Sequence, residues 1–115
     1  MIELHWYKST LGTWLEFLRV NLADETDFGV YIIWHAGNPS RVVRVGQGDI
    51  ATRLSAHRND PEILSYNQHG TLCVTWAVVS PRLVDGVERH LAERWKPLVG
   101  DRFPNVAPIE VNSPF

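Results

Sequence analysis

Three polar residues fall on helix faces that should turn toward a core. Between Ser80 and Trp95 the apolar residues Val84, Val87, Leu91 and Trp95 recur at helical spacing. With Val84 at zero, Trp95 lies at about 20°, Leu91 at about −20° and Val87 at about −60°. Glu88 falls at about 40°, on the same stripe, whereas Glu93 falls at about 180° and faces water. A carboxylate on an apolar stripe is costly to bury unless it is paired, hydrogen-bonded or bound to a metal. The stretch after Asp49 repeats the anomaly. With Ile50 at zero, Leu54 lies at about 40°, His57 at about −20° and Arg53 at about −60°. Taken singly, these residues read as an edge carboxylate, a snorkelling arginine and a satisfied core histidine. Taken together, they are either a buried ion pair or the lining of one cleft.

Those side chains need elements to carry them. Residues 29–58 read GVYIIWHAGNPSRVVRVGQGDIATRLSAHR. Val30–His35 and Arg41–Val45 are rich in β-branched and aromatic residues and flank the turn formers Ala36–Ser40, which predicts a β-hairpin. Gly46-Gln47-Gly48 breaks the second strand, and Asp49 is placed to N-cap a helix from Ile50. Asn59-Asp60-Pro61 stops that helix, and Pro61–Gln68 reads as a short second helix with Pro61 at its first position. Thr71–Val79 is β-branched and apolar, a central strand. Ser80 as N-cap and Pro81 at N1 predict a long helix to Trp95, ended by Lys96-Pro97. Ile2, Leu4 and Trp6 alternate as a short strand. Thr13–Leu22 reads as an amphipathic helix, followed by the acidic linker Asp24–Asp27. The tail from Leu98 is irregular, with a short strand near Ile109–Val111. The expectation is an α+β domain: a small three-stranded, mainly antiparallel sheet flanked by helices.

This layout resembles the GIY-YIG nuclease family. The resemblance rests on Gly29-Val30-Tyr31 opening the first strand, Val45-Gly46 ending the second, Arg53 and His57 on the next helix, and Glu88 on a later one. Pro97 follows Glu88 by nine positions (97 − 88), as it does in many members. The likeness divides the single domain 1–115 into an extension 1–28, a family core 29–105 and a tail 106–115. It implies that Tyr31, Arg53 and Glu88 are catalytic and converge on one cleft, that His57 assists or orients Arg53, and that Glu88 holds Mg2+ or Mn2+. Asn105 matches an asparagine that some members place after the glutamate. Arg44 stands where the family has its second tyrosine.

The implied activity is hydrolysis of DNA phosphodiester bonds by a metal-dependent endonuclease. An ion on one carboxylate acts as a Lewis acid, Arg53 forks onto the phosphate, and Tyr31 relays a proton from the attacking water. Net charge is −2, so no global basic field announces nucleic acid. Locally, Arg41, Arg44, Arg53 and Arg58 stand against Asp49 alone, an excess of three (4 − 1). Arg41, Arg44 and Arg58 are therefore expected nucleic-acid contacts, and the resemblance implies Asn105 as another. Two other readings stand beside the enzyme. One is a degenerate GIY-YIG-fold module that only binds nucleic acid. The other is a protein-interaction domain, which five tryptophans would suit.

Other chemistries lack their residues. Gly46-Gln47-Gly48 has no third glycine at dinucleotide-binding spacing, and there is no phosphate-binding loop or Gly-x-Ser-x-Gly. The histidines at 5, 35, 57, 69 and 90 form no close ligand pair. Cys73 is the lone cysteine, so no intrachain disulfide exists, and its strand setting suggests a buried thiol. No apolar run reaches transmembrane length and no signal-peptide layout opens the chain, so no membrane partner and a cytoplasmic location are expected.

Overall fold

The computed structural model describes residues 1–115. Its strands are β1 (Leu15–Glu16), β2 (Phe28–His35), β3 (Arg41–Asp49) and β4 (Leu72–Val78). Its helices are α1 (Ile50–His57), α2 (Pro61–Ser65) and α3 (Val84–Trp95), with a 3₁₀ turn at Tyr66–Gln68. All strand pairs are antiparallel, in the order β1-β4-β2-β3. The class is α+β with four strands rather than three.

The fourth strand replaces an expected helix. Thr13–Leu22 forms no helix; Leu15 and Glu16 pair with Val74 and Cys73, and Phe17 N–H donates to the Leu72 carbonyl at 2.9 Å. The reason is tertiary. From Leu72 to Ala77, β4 is buried throughout, so its outer edge needs a partner. Pairing that edge outweighs a helix propensity worth a few tenths of a kcal/mol per residue. Farther along the same edge, Tyr7 N–H donates to the Trp76 carbonyl. The expected strands at the two ends reduce to one bridge, Ile2 with Val111.

The sheet has an apolar cluster on each face. Val30, Ile32, Trp34 and Val45 pack with Val84, Val87 and Leu91 of α3. Tyr31, Ile33, Val43 and Val74 pack with Ile50 and Leu54 of α1, Ile63 of α2 and Phe17. Each buried aliphatic contributes about 1.5–3 kcal/mol. The alternation of β3 is broken once. A bulge between Ile33 and Trp34 sets Arg44 opposite Ile33 and Val42 opposite Trp34. Val42 therefore joins the α3 face with Val45, and Val43 joins the α1 face. Strict alternation would have placed each on the other side.

Local caps follow the sequence on α1 and α2. Asp49 accepts from Thr52 N–H at 3.0 Å and Asp60 accepts from Glu62 N–H at 2.9 Å. The start of α3 differs. The Ser80 carbonyl, not its side chain, accepts the Leu83 and Val84 N–H groups, so a turn carrying Pro81 precedes the helix. Cys73 is buried, and burial pushes its thiol pKa up. No helix is long and apolar enough to cross a membrane.

Candidate active site at the glycine edge of the sheet

Tyr31 leaves the middle of β2 on the α1 face, opposite Gly46 of β3. A Cβ at Gly46 would collide with the Tyr31 phenol oxygen, so only glycine lets the ring lie across β3. The phenol oxygen sits 2.6 Å from His57 Nε2, and both residues are buried. His57 arrives there because α1 turns Ile50, Leu54 and His57 inward. Burial first, then the charges of Arg44 and Arg53, hold the imidazole pKa down to about 4. The ring is therefore neutral at pH 7 and, with its proton on Nδ1, accepts the phenol hydrogen at Nε2. Burial pushes the Tyr31 pKa up, while Arg53 and then Arg44 act against it.

Arg53 lies over Gly48, where a Cβ would stand 3.2 Å from its Cγ. Arg44 is half-buried, and its Nε has no hydrogen-bond partner. Gly100 covers it: at φ 92°, a Cβ there would strike the guanidinium. Gly100 is carried there by the chain after α3, which pairs Leu98 and Val99 with the Val42 and Val43 carbonyls. Beyond Val43 no strand covers the outer edge of β3.

Glu88 is on the other face. Gln47, which points away from Gly46 and Gly48, donates to Glu88 Oε2 at 3.0 Å and to Asp85 Oδ1 at 2.6 Å. Burial pushes the Glu88 pKa up; the Gln47 hydrogen bond and the charges of Arg44 and Arg53 pull it back, and Asp85 raises it. The expected convergence of Tyr31, Arg53 and Glu88 on one cleft is therefore not found, because α1 and α3 pack on opposite faces of the sheet. They flank the same uncovered edge of β3, and both arginines act on Tyr31, His57 and Glu88 alike. Nor do they form a buried ion pair: the salt bridges are Arg19–Glu16 and Arg89–Glu93, both outside the site.

Three expected nucleic-acid contacts lie elsewhere. Arg58 donates to the Phe17 carbonyl at 2.8 and 3.0 Å and to the Val20 carbonyl at 2.5 Å, which anchors the N-terminal segment. Arg41 is exposed at the hairpin end of β3, five residues from Gly46 and about 17 Å away at 3.4 Å per residue. Asn105 is exposed in the tail and hydrogen-bonds to no site residue. The asparagine that does hold structure is Asn112. Its side-chain amide bonds both backbone groups of Leu4, and its carbonyl accepts Trp6 Nε1–H.

Sequence reasoning missed Gln47, Asp85 and Gly100. The first two left a signal: Gln47 alternates against two glycines, and Asp85 stands one turn before Glu88. Gly100 left none. The two carboxylates suit a hard divalent cation, since both are oxygen donors and Glu88 is buried with only an amide as partner. Comparison with protein-family models, curated proteins and solved structures finds no match to this chain.

Proposed function

We propose that this chain is a GIY-YIG-type, metal-dependent endonuclease that hydrolyses DNA phosphodiester bonds in the cytoplasm. The observation that carries the reading is the buried Tyr31–His57 hydrogen bond at 2.6 Å with Arg44 and Arg53 acting on both partners. A tyrosine bonded to a neutral imidazole beside two arginines is a proton path next to a phosphate site. Arg44 and Arg53 bind the scissile phosphate and offset charge developing on it. Burial holds the His57 pKa low and the arginine charges add to it; a bound anion offsets the arginine part, so the base strength of His57 rises when substrate is present. The phenol oxygen takes a proton from the attacking water while its own proton passes to His57 Nε2. The water oxygen then attacks phosphorus, and the bond to the leaving sugar oxygen breaks. Mg2+ or Mn2+ held by Glu88, with Asp85 one turn away, would supply Lewis-acid stabilisation of the leaving oxygen.

Nicking of supercoiled plasmid with Mg2+ and with EDTA tests this. Slow, metal-dependent nicking is expected, because Arg44 cannot serve as a base and the Tyr31–His57 pair alone takes the proton. A second reading has Arg44 in its favour: an arginine at the second-tyrosine position suits a module that binds phosphate without cutting. If the natural chain never nicks and Arg44→Tyr does, the second reading is correct.

A further inference from the structure

Away from Tyr31, a cavity of about 350 Å³ opens at the hairpin end of β3. Its walls include Trp14, Trp34, Trp95 and Phe115, together with Arg41. The rings meet edge to face: Trp14 with Trp34 at 5.2 Å, and Phe115 with Trp14, Trp34 and Trp95 at 5.9, 4.9 and 5.0 Å. No pair is closed by face-to-face stacking. The surroundings are cationic. Arg41 is in the wall, Lys8 Nζ lies 4.3 Å from the Trp14 ring centre, and the Arg94 guanidinium lies 4.4 Å from that of Trp95.

Charge selects the occupant. Three cations beside an aromatic box disfavour a quaternary or methylated ammonium, the usual guest of such boxes. An apolar plug would cover these cations without compensating them. A flat base flanked by phosphates answers both features, because it stacks on tryptophan while its backbone meets the cations. The place of the box also matters. Trp95 follows Glu88 by seven residues (95 − 88) on the same stripe of α3, a separation of about 10 Å along the helix. On β3, Val42 stands beside the box and Gln47 beside Glu88, both on the α3 face. The box and Glu88 therefore lie on one side of α3, close enough for one bound strand to reach both.

We propose that the Trp14–Trp34–Trp95–Phe115 box takes an unpaired nucleobase, which makes single-stranded DNA, or DNA with a single-stranded arm, the substrate class of the Glu88 site. This rests on the nuclease reading for its link to catalysis, but binding in the box is read without cleavage. The probe is a labelled oligothymidylate of about 12 nucleotides, within the usual site sizes for stacking platforms. Its anisotropy is followed in EDTA, with a duplex of the same length as the comparison.

Tighter binding of the single strand than of the duplex is expected. Trp14→Leu should weaken it about tenfold, and Trp14→Phe, which keeps an aromatic face, should recover most of the loss. Arg41→Gln, at an exposed position, should weaken binding a few-fold and lower the salt slope by about one. The proposal fails if the duplex binds equally well, if folded Trp14→Leu and Arg41→Gln both bind normally, or if no oligonucleotide binds. It also fails if an apolar peptide fills the box without competing with the oligonucleotide. This binding pattern without any metal-dependent nicking would remove the nuclease reading and leave the box standing. Nicking of duplex DNA untouched by Trp14→Leu would do the reverse.

Discussion

The two faces of β3 treat charge in opposite ways. On the α1 face, Gly46 and Gly48 remove side chains so that Tyr31 and Arg53 can lie against the strand. There the charged groups are Arg44 and Arg53, and the groups between them, Tyr31 and His57, are neutral at pH 7. On the α3 face one long side chain, Gln47, reaches out to two carboxylates. One strand's thickness keeps the guanidiniums and Glu88 from pairing. A buried ion pair would have neutralised both partners and left little for a ligand. Separation leaves a cationic half able to take a phosphate and an anionic half able to take a metal ion.

The sharpest way to break this comparison is to remove the reacting atom from each half. Tyr31→Phe deletes the proton path and Glu88→Gln deletes the anionic ligand. Each should lower nicking by about 10²–10⁴-fold. The two must differ in Mg2+ dependence: Tyr31→Phe keeps the wild-type half-saturating concentration, and Glu88→Gln abolishes the metal response. If Tyr31→Phe cuts at the wild-type rate, the proton path is wrong. Full activity in Glu88→Gln, with unchanged metal dependence, would exclude Glu88 as the ligand.

The halves also differ in how far the sequence shows them. Helical phase marks Arg53, His57 and Glu88 as polar groups on buried stripes; His57 and Glu88 are 8% exposed, but Arg53 is exposed, because the stripe's edge at that position faces solvent beyond the uncovered edge of β3. Phase is measured against each helix's own apolar side, however, and a sheet has two faces. It does not say that α1 and α3 lie on opposite ones. The hairpin, Asp49, Pro61 and β4 are legible because turn residues, caps and β-branched runs are local signals. β1 is not, because Thr13–Leu22 has helical spacing and is drawn into the sheet by the distant edge of β4. The bulge that exchanges the faces of Val42 and Val43 is likewise set by pairing with β2, not by β3 alone.

A smaller but cleaner break is steric. Gly46→Ala places a Cβ where the Tyr31 phenol oxygen sits, at ordinary backbone angles, so the cost is overpacking alone. Unfolding free energy should fall by about 1–3 kcal/mol, and nicking should fall with it. Thermal unfolding and the plasmid assay check both. Unchanged stability and activity would mean that the ring does not need the clearance.

Acid should separate the faces by sign. The His57 pKa falls from an ordinary 6.5 to about 4 on folding. The unfolded chain therefore takes up this proton first, and the contribution of His57 to stability is lost as pH falls from 6.5 toward about 4. The upper bound is about 3 kcal/mol, reduced by partial access to solvent. Glu88, whose pKa is raised on folding, acts in the opposite sense. Its protonation relieves burial as pH falls and favours the fold. Denaturant titrations at neutral and acid pH should show His57→Gln losing less stability than wild type, and Glu88→Gln losing more. The same slope in all three proteins would remove the assignment of these groups.

The finest test is Gln47, which touches only the anionic half. One amide nitrogen lies within hydrogen-bond reach of both Asp85 and Glu88, the place a cation would also favour. It either organises the two carboxylates for an ion or occupies the position in its stead. The geometry favours organiser, because Gln47 stands on a strand and can turn its amide oxygen toward an incoming ion. Gln47→Leu keeps the length of the side chain's apolar stem and removes the donor. Stability should fall by about 1–3 kcal/mol, since Glu88 is buried and loses its one hydrogen-bond donor, while Asp85 is exposed. The Mg2+ concentration for half-maximal nicking should rise about threefold, a difference of about 0.6 kcal/mol, with the maximal rate unchanged. A fall in that concentration would instead make the amide a competitor for the metal, and Glu88 and Asp85 a site that the free protein keeps closed.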